Sequence, residues 1–372
     1  MIIYITIFIT LIFALIFIKS KLFKSIFLYI LFFILSFLTA IRDGIGTDFE
    51  NYYYIYTAQW SIFSFEHLFQ NTYKQEPLFV FLGVFTKTLG FSEPYFFFFL
   101  ISIITFLIFN KAIKNFKFKW TIHFWFLYFC YFFLNFHFNT IRQGIMVSFV
   151  WLAFSYIQSK QIKKYITFIF IGSLFHSAAF IFLPFYWLLK INIDKKKLFW
   201  MALLALIAII TPFLFIIIDI ALRILPTNSL FESLRFYAYI YYINVGVDSF
   251  KSITIGLIFN TTLLLIVFKN KTRLSNNIVG FEIYFNALTF AVFLSYIFSS
   301  IGVLVERISG VLFVSLLFLI PLLVIKISKN AAIRLFLYIV FIIYGLLILN
   351  ANMYKKELDG NFQFIPYKSK LF

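Results

Sequence analysis

Few residues in this sequence are equipped for chemistry, and most of them sit at the ends of long apolar runs. Arg142 follows the apolar stretch 120–139, and Gln143 opens the next run. An arginine at the end of a membrane helix is expensive unless it is paired or wetted. Guanidinium offers five donors in a rigid fork that matches phosphate. A helix starting at 143 adds exposed amide donors and a partial positive charge. These features fit a pyrophosphate clamp, and they also fit a snorkelling arginine that anchors a helix end. Arg307, in Val305-Glu306-Arg307-Ile308, repeats the theme at another helix start. There the alternative is a local Glu306–Arg307 pair.

The stretch Arg42-Asp43-Gly44-Ile45-Gly46-Thr47-Asp48 begins where a run at 22–41 ends. Gly44 and Gly46 permit a tight backbone path close to a ligand or to another segment. Arg42 supplies a cation, and Asp43 and Asp48 supply carboxylates. An aspartate beside an arginine keeps a depressed pKa and stays ionised, which suits orienting a hydroxyl or accepting its proton. Tyr52, Tyr53, Tyr54, Tyr56 and Trp60 follow. Aromatic rings stack on sugars, but the tyrosines taken alone read as an interfacial belt. His176 lies in an apolar run at a predicted helix break. A histidine there is either structural or a proton shuttle and phosphate donor.

The elements that must position these residues are membrane helices. The chain has 372 residues, 63% hydrophobic, 24% aromatic and only 12% charged. That much apolar surface cannot be hidden in one water-soluble core. Apolar runs of about 20 residues recur throughout, which is the transmembrane signal. We place helices at 2–18, 22–41, 94–110, 120–139, 143–158, 198–221, 251–268, 278–298, 308–326 and 333–350. Residues 1–18 lack the basic start and small-residue cleavage site of a signal peptide, so they read as a first helix. The single cysteine, Cys130, lies inside an apolar run.

Lysine-rich clusters at 19–24, 111–119, 160–164, 190–197, 269–273 and 326–334 mark the cytoplasmic side by the positive-inside rule. All but Asp194 and Glu282 of the 14 carboxylates then fall on the other side. This sorting allows one crossing between 78 and 110, so 78–90 becomes a re-entrant or interfacial helix. It also sends 165–190 out and back in two legs of about 12 residues, each rising roughly 18 Å against a roughly 30 Å core. Such short legs survive only where they line a protein-enclosed cavity. Their turn falls at Phe175-His176-Ser177; one long tilted helix is the alternative. The expected architecture is an all-α polytopic integral membrane protein of about twelve crossings. Residues 1–372 form a single membrane domain with extracytoplasmic loops 42–77 and 222–250 and tail 351–372.

Other chemistries lack their residues. There is no Walker loop or GxGxxG, no His/Cys/Asp cluster with metal-ligand spacing and no GxSxG. The net charge of +18 is distributed as topology signals in short loops, not as a nucleic-acid surface.

Taken in order, Arg42 to Asp48 with Tyr52, Glu76-Pro77, Ile141-Arg142-Gln143 and Leu174-Phe175-His176-Ser177 resemble the EpsG branch of Wzy-type polysaccharide polymerases. Glu306-Arg307-Ile308 and Pro366-Tyr367 match more loosely. The resemblance implies a GT-C-like membrane fold in a bacterial cytoplasmic membrane. It implies an O-antigen or capsule polymerase that joins undecaprenyl-pyrophosphate-linked oligosaccharides on the outer face, without metal, nucleotide or other cofactor. It assigns catalysis to Arg142, Arg307 and either Asp48 or His176, with Arg42, Gly46, Glu76, Gln143, Arg235 and Glu306 contacting substrate. The implied partners are the lipid-linked oligosaccharides and the bilayer, with a chain-length regulator as an open candidate. A flippase, which would place charges midway along helices in paired halves, and a ligase or acyltransferase of the same pathway are the competing readings.

Overall fold

A chain that enters hydrocarbon must satisfy every backbone group within itself, and a helix does so segment by segment. The computed structural model describes residues 1–59, 75–210, 254–276, 278–299, 305–356 and 362–370, and among them the regular structure is helical apart from two isolated bridges. In chain order the helices are α1 (Ile2–Phe17), α2 (Lys21–Ile41), α3 (Phe49–Tyr54), α4 (Pro77–Thr88), α5 (Tyr95–Asn115), α6 (Thr121–Tyr128), α7 (Ile141–Phe154), α8 (Ile162–Ser173), α9 (Phe185–Leu188), α10 (Lys195–Ile210), α11 (Ile255–Lys269), α12 (Lys271–Ser275), α13 (Phe281–Ile297), α14 (Gly310–Leu312), α15 (Leu316–Lys326) and α16 (Ala331–Met353). Among the described residues, four helical runs are long and apolar enough to cross a membrane: Lys21–Ile41, Tyr95–Asn115, Val305–Lys326 and Ala331–Met353. Six shorter apolar helices accompany them, including Pro77–Thr88 and Ile141–Phe154.

Several boundaries differ from the sequence reading. Residues 42–59 are not all loop: α3 forms there and continues as a π-turn over Ile55–Gln59. Helix α7 starts at Ile141, which puts Arg142 inside its first turn. Over 165–190 there is no continuous helix. The chain breaks after Ser173, resumes as a 3₁₀ turn at Ser177–Phe182 and ends in the short α9. The break falls at the expected place, because Leu174 and Phe175 close the last turn of α8 and His176 is extended. Residues 211–221 of the expected 198–221 helix, and the whole 222–250 loop, lie outside the described residues.

The chain divides into two compact units. The first comprises Met1–Tyr186, Asn276–Gly280 and Ile320–Phe372. Helix α7 runs through its core: every residue of Ile141–Phe154 is buried except Arg142. A helix that is apolar all round belongs inside a bundle. It packs between α5 and α8, and α2 covers the other side of α5. Rings fill the spaces. Phe32 stacks on Phe106 at 5.1 Å and meets Trp125 at 4.5 Å. His137 is fully enclosed, with Ser102 at 2.8 Å from Nδ1 and Tyr128 at 2.9 Å from Nε2.

Close approach of α7 to the preceding segment depends on Gly144, where a Cβ would stand 2.6 Å from the carbonyl oxygen of Phe136. Gly144→Val is expected to destabilise the fold by about 1–3 kcal/mol or more, since the clash is with backbone that a rotamer change cannot relieve. Thermal midpoints in detergent test this; an unchanged midpoint would show that the Phe136 backbone yields.

Charges in the first unit sort to opposite ends. The Tyr4 hydroxyl donates to Phe364 O at 3.1 Å and that of Tyr367 to Leu38 O at 2.7 Å. The start of α1, the end of α2 and segment 362–370 therefore share one end. Lys24 near His123, and Lys119 near Lys326, gather at the other.

The second unit comprises Trp187–Ser275 and Phe281–Leu319. Helix α13 is its hub, against α10 and α11. Asn286 of α13 donates to Leu189 O at 2.8 Å and Ile191 O at 2.7 Å. Lys271 pairs with Glu282 at 2.9 Å.

Candidate active site

The loop after α2 owes its path to partners far away in sequence. Residues 362–370 run alongside it: Asp43 N donates to Lys368 O (3.2 Å), Gly46 N to Gln363 O (3.1 Å) and Lys370 N to Ile41 O (3.1 Å). Gly46 has φ +96°, and a Cβ there would lie 2.6 Å from both Asn139 Oδ1 and Phe138 O. Glycine is therefore required twice, by conformation and by space. Asn139 ends a run of π-turns over Phe129–Phe133 and Asn135–Asn139, which re-aim the end of that helix. Its Oδ1 accepts from Thr47 N at 3.0 Å and its Nδ2 donates to Gln363 Oε1 at 3.2 Å, clamping loop to tail.

Arg42 lies beneath this loop. Its side chain is fully buried and donates to Thr39 O at 2.5 Å, Ile45 O at 3.3 Å and Phe138 O at 3.4 Å. Its guanidinium sits 4.4 Å from the Phe98 ring centre, with Phe138 and Phe49 slightly farther. The resemblance gave Arg42 a substrate contact; the structure gives it three carbonyls and three rings instead. Arg42→Lys leaves at least two of those carbonyls unmet, at about 1–3 kcal/mol each. The expected result is a lower melting temperature, and full stability would show that lysine can reorganise the loop.

Asp48 caps the start of α3, yet its side chain makes no capping hydrogen bond. The carboxylate instead faces the charge of Arg142. Burial raises its pKa above the ordinary aspartate range, and Arg142 opposes that rise without cancelling it. One helical turn on, Tyr52 is buried and its hydroxyl oxygen accepts from Arg142. Burial pushes the Tyr52 phenol up to about 12, so it stays neutral.

Glu76 precedes Pro77 at the start of α4. Its Oε2 accepts from Arg142 Nη1 at 2.8 Å and its Oε1 from Ser177 N at 3.1 Å. One carboxylate thus ties α7 to the turn that breaks α8. Leu78 N donates to Leu174 O at 2.9 Å and reinforces the same junction. Arg142 also lies 5.7 Å from the Phe79 ring centre. Its Nε is buried without a hydrogen-bond partner, while its side chain as a whole keeps 27% exposure. The guanidinium is therefore held by two neighbours, and Nε–H is among the donors left over.

His176 is half-buried beside this turn. Its Nδ1 accepts from Ala178 N at 3.2 Å. That bond places the proton of a neutral ring on Nε2, which makes Nε2 a donor.

The structure therefore brings Asp48, Glu76, Arg142 and the His176–Ser177 turn together, with Arg42 and Gly46 shaping the loop and Gln143 buried next to Arg142. Glu306 and Arg307 belong to the second unit, in a π-turn over Val305–Ser309, with Arg307 half-buried. Arg235 lies outside the described residues. Sequence reading missed Asn139 and Gln363 as clamps, and it grouped Tyr52 with a belt. Tyr52 and Tyr56 are buried, whereas Tyr54 is 59% exposed. The signal for Tyr52 was its spacing of four residues from Asp48, which puts both on one helix face.

The model of the EpsG family matches residues 25–369. The chain belongs to the EpsG family. The matched span of this EpsG-family protein runs from within α2 to the tail that pairs with the 42–46 loop, and so contains every segment of the cluster. Membership makes it a membrane protein of polysaccharide biosynthesis. No curated protein and no solved structure matches the chain.

Proposed function

We propose that this EpsG-family protein is a polysaccharide polymerase, spanning a bacterial cytoplasmic membrane about twelve times in a GT-C-like arrangement. It joins undecaprenyl-pyrophosphate-linked oligosaccharide repeat units on the outer face. The observation that carries this reading is Arg142: the one residue of a buried helix that is not buried, held between a neutral tyrosine, a carboxylate strut and Asp48.

In the reaction an acceptor sugar hydroxyl attacks the anomeric carbon of the donor. The bond from that carbon to the lipid pyrophosphate breaks, and the pyrophosphate leaves with the electron pair. Its new negative charge is met by Arg142, whose side chain keeps 27% exposure, with His176 beside the turn that its Glu76 strut holds. The proton of the attacking hydroxyl passes to Asp48. Between the two candidate bases the hydrogen bond at His176 Nδ1 favours Asp48, because a neutral His176 already carries its proton at the nitrogen that would have to accept. Glu76, with both oxygens engaged by Arg142 and Ser177, holds the clamp in place. The donor bond is already activated, so this scheme consumes no nucleotide.

Glycan length in a strain lacking the protein tests the reading. Loss of a polymerase leaves surface glycans capped at one repeat unit. Loss of a flippase leaves none at the surface. Full-length chains would overturn the proposal.

A further inference from the structure

The first unit holds an open-sided crevice of about 490 Å³ that the proposed reaction does not use. It lies where α2 ends and α5 begins, with Phe33, Phe37 and Ile41 on one wall and Tyr95, Phe96 and Phe99 on the other. Its rim is the turn Gly90–Glu93. The volume is that of a small-molecule site, roughly 300–1,000 Å³.

Two features set the crevice apart from a greasy seam between membrane helices. The first is a ladder of flat faces: Phe91 stacks on Phe96 at 4.3 Å and 24°, and Phe96 on Phe99 at 6.3 Å and 10°. Phe91 stands at the rim with 42% exposure. The second is a polar lip. The Tyr53 hydroxyl hydrogen-bonds the Glu93 carboxylate, yet Glu93 Oε2 is buried with no partner of its own. Across the opening the Lys370 ammonium lies 5.8 Å from the Tyr95 ring centre. An acceptor oxygen buried without a donor calls for one from a ligand.

A hydrocarbon chain would leave that oxygen unmet. A phosphate would meet a carboxylate of like sign. A sugar satisfies both features: its C–H face lies on an aromatic ring, and its hydroxyls donate to a carboxylate. The crevice is also joined to the reacting cluster through α3, because consecutive residues Tyr52 and Tyr53 reach Arg142 and Glu93 respectively. We infer that the crevice closed by Phe91 and Glu93 is a saccharide subsite, which holds a sugar of the acceptor repeat unit while its neighbour is presented to Asp48. The inference rests on the polymerase reading and adds to it where the acceptor binds.

The test uses the full chain in lipid nanodiscs and two probes. One is the oligosaccharide freed by mild acid from the lipid-linked intermediates of the encoding strain. The other is the intact lipid-linked form. Wild-type protein is expected to bind the freed oligosaccharide, and Glu93→Gln and Phe91→Ala are each expected to weaken it at least tenfold. Arg142→Ala is expected to change that affinity less than twofold. Size-exclusion profiles and thermal midpoints confirm that each variant is folded. Wild-type affinity in both crevice variants would overturn the subsite, as would a loss confined to Arg142→Ala. Binding of the lipid-linked form alone would overturn the subsite and leave the polymerase reading intact. Binding of neither probe would overturn both.

Discussion

Replacing Arg142 by lysine is expected to lower the rate of chain elongation by about two orders of magnitude, the usual consequence of removing one preorganised donor to a developing anion. The substitution keeps the charge, so a role that needs only a cation near the membrane surface would survive it. What lysine cannot keep is the fork. Arg142 donates to Glu76 at 2.8 Å and also to Tyr52, and retains Nε–H for a third partner. An ammonium on a flexible stem can pair with Glu76, but it cannot also hold the tyrosine and present a donor at a fixed angle. Fold should be preserved, because the side chain is the part of α7 that does not enter the core. Initial rates in membrane vesicles, with glycan length on gels as a second readout, measure the effect. Unchanged rates and lengths would end the forked-recognition reading of this residue.

Asp48→Asn is expected to lower the elongation rate by 10²-fold or more, within the range of about 10²–10⁴ typical for a general base, while leaving the protein at least as stable. The two halves have one cause. Burial raises the folded-state pKa of Asp48 above its ordinary value, so folding favours the neutral carboxyl. In the pH window between the unfolded and folded values the native state binds more protons, and stability falls as pH rises through it. Where the carboxylate is ionised, it is so against the preference of the fold, and an isosteric amide removes that strain. Activity follows the opposite course, since only the ionised form accepts a proton: it rises with pH through the raised pKa. Asn should abolish this acidic limb. Thermal midpoints and pH–rate profiles together check the claim. A variant that loses stability, or keeps both its rate and its acidic limb, would show that Asp48 is structural.

The sequence was most informative where a residue had to answer to the membrane. The gathering of Lys24, Lys119 and Lys326 at one end of the first unit and the break at His176 were readable because charge and length are local quantities, compared directly with bilayer thickness. Arg42 was misjudged because it has the same sequence setting as Arg142, an arginine at the end of an apolar run. What separates them is the approach of Phe98 and Phe138, and long-range packing leaves no mark within a window of ten residues. Tyr52 was hidden for a related reason. In a row of tyrosines nothing local says which one turns inward, and only its spacing from Asp48 carried that information. The Asn139–Gln363 clamp joins positions more than two hundred residues apart, with no motif at either end.

The pairing of residues 362–370 with the 41–46 loop also has a consequence for the order of synthesis. The loop leaves the ribosome early, with its tight turn at Gly46 and the buried Arg42 already encoded. The carbonyls that its amides require, at Gln363 and Lys368, are made more than three hundred residues later. Until they arrive, the segment that carries Asp48 lacks the partner that fixes its path. A chain stalled or cut before residue 362 would carry its helices yet leave that loop without the carbonyls that fix its path.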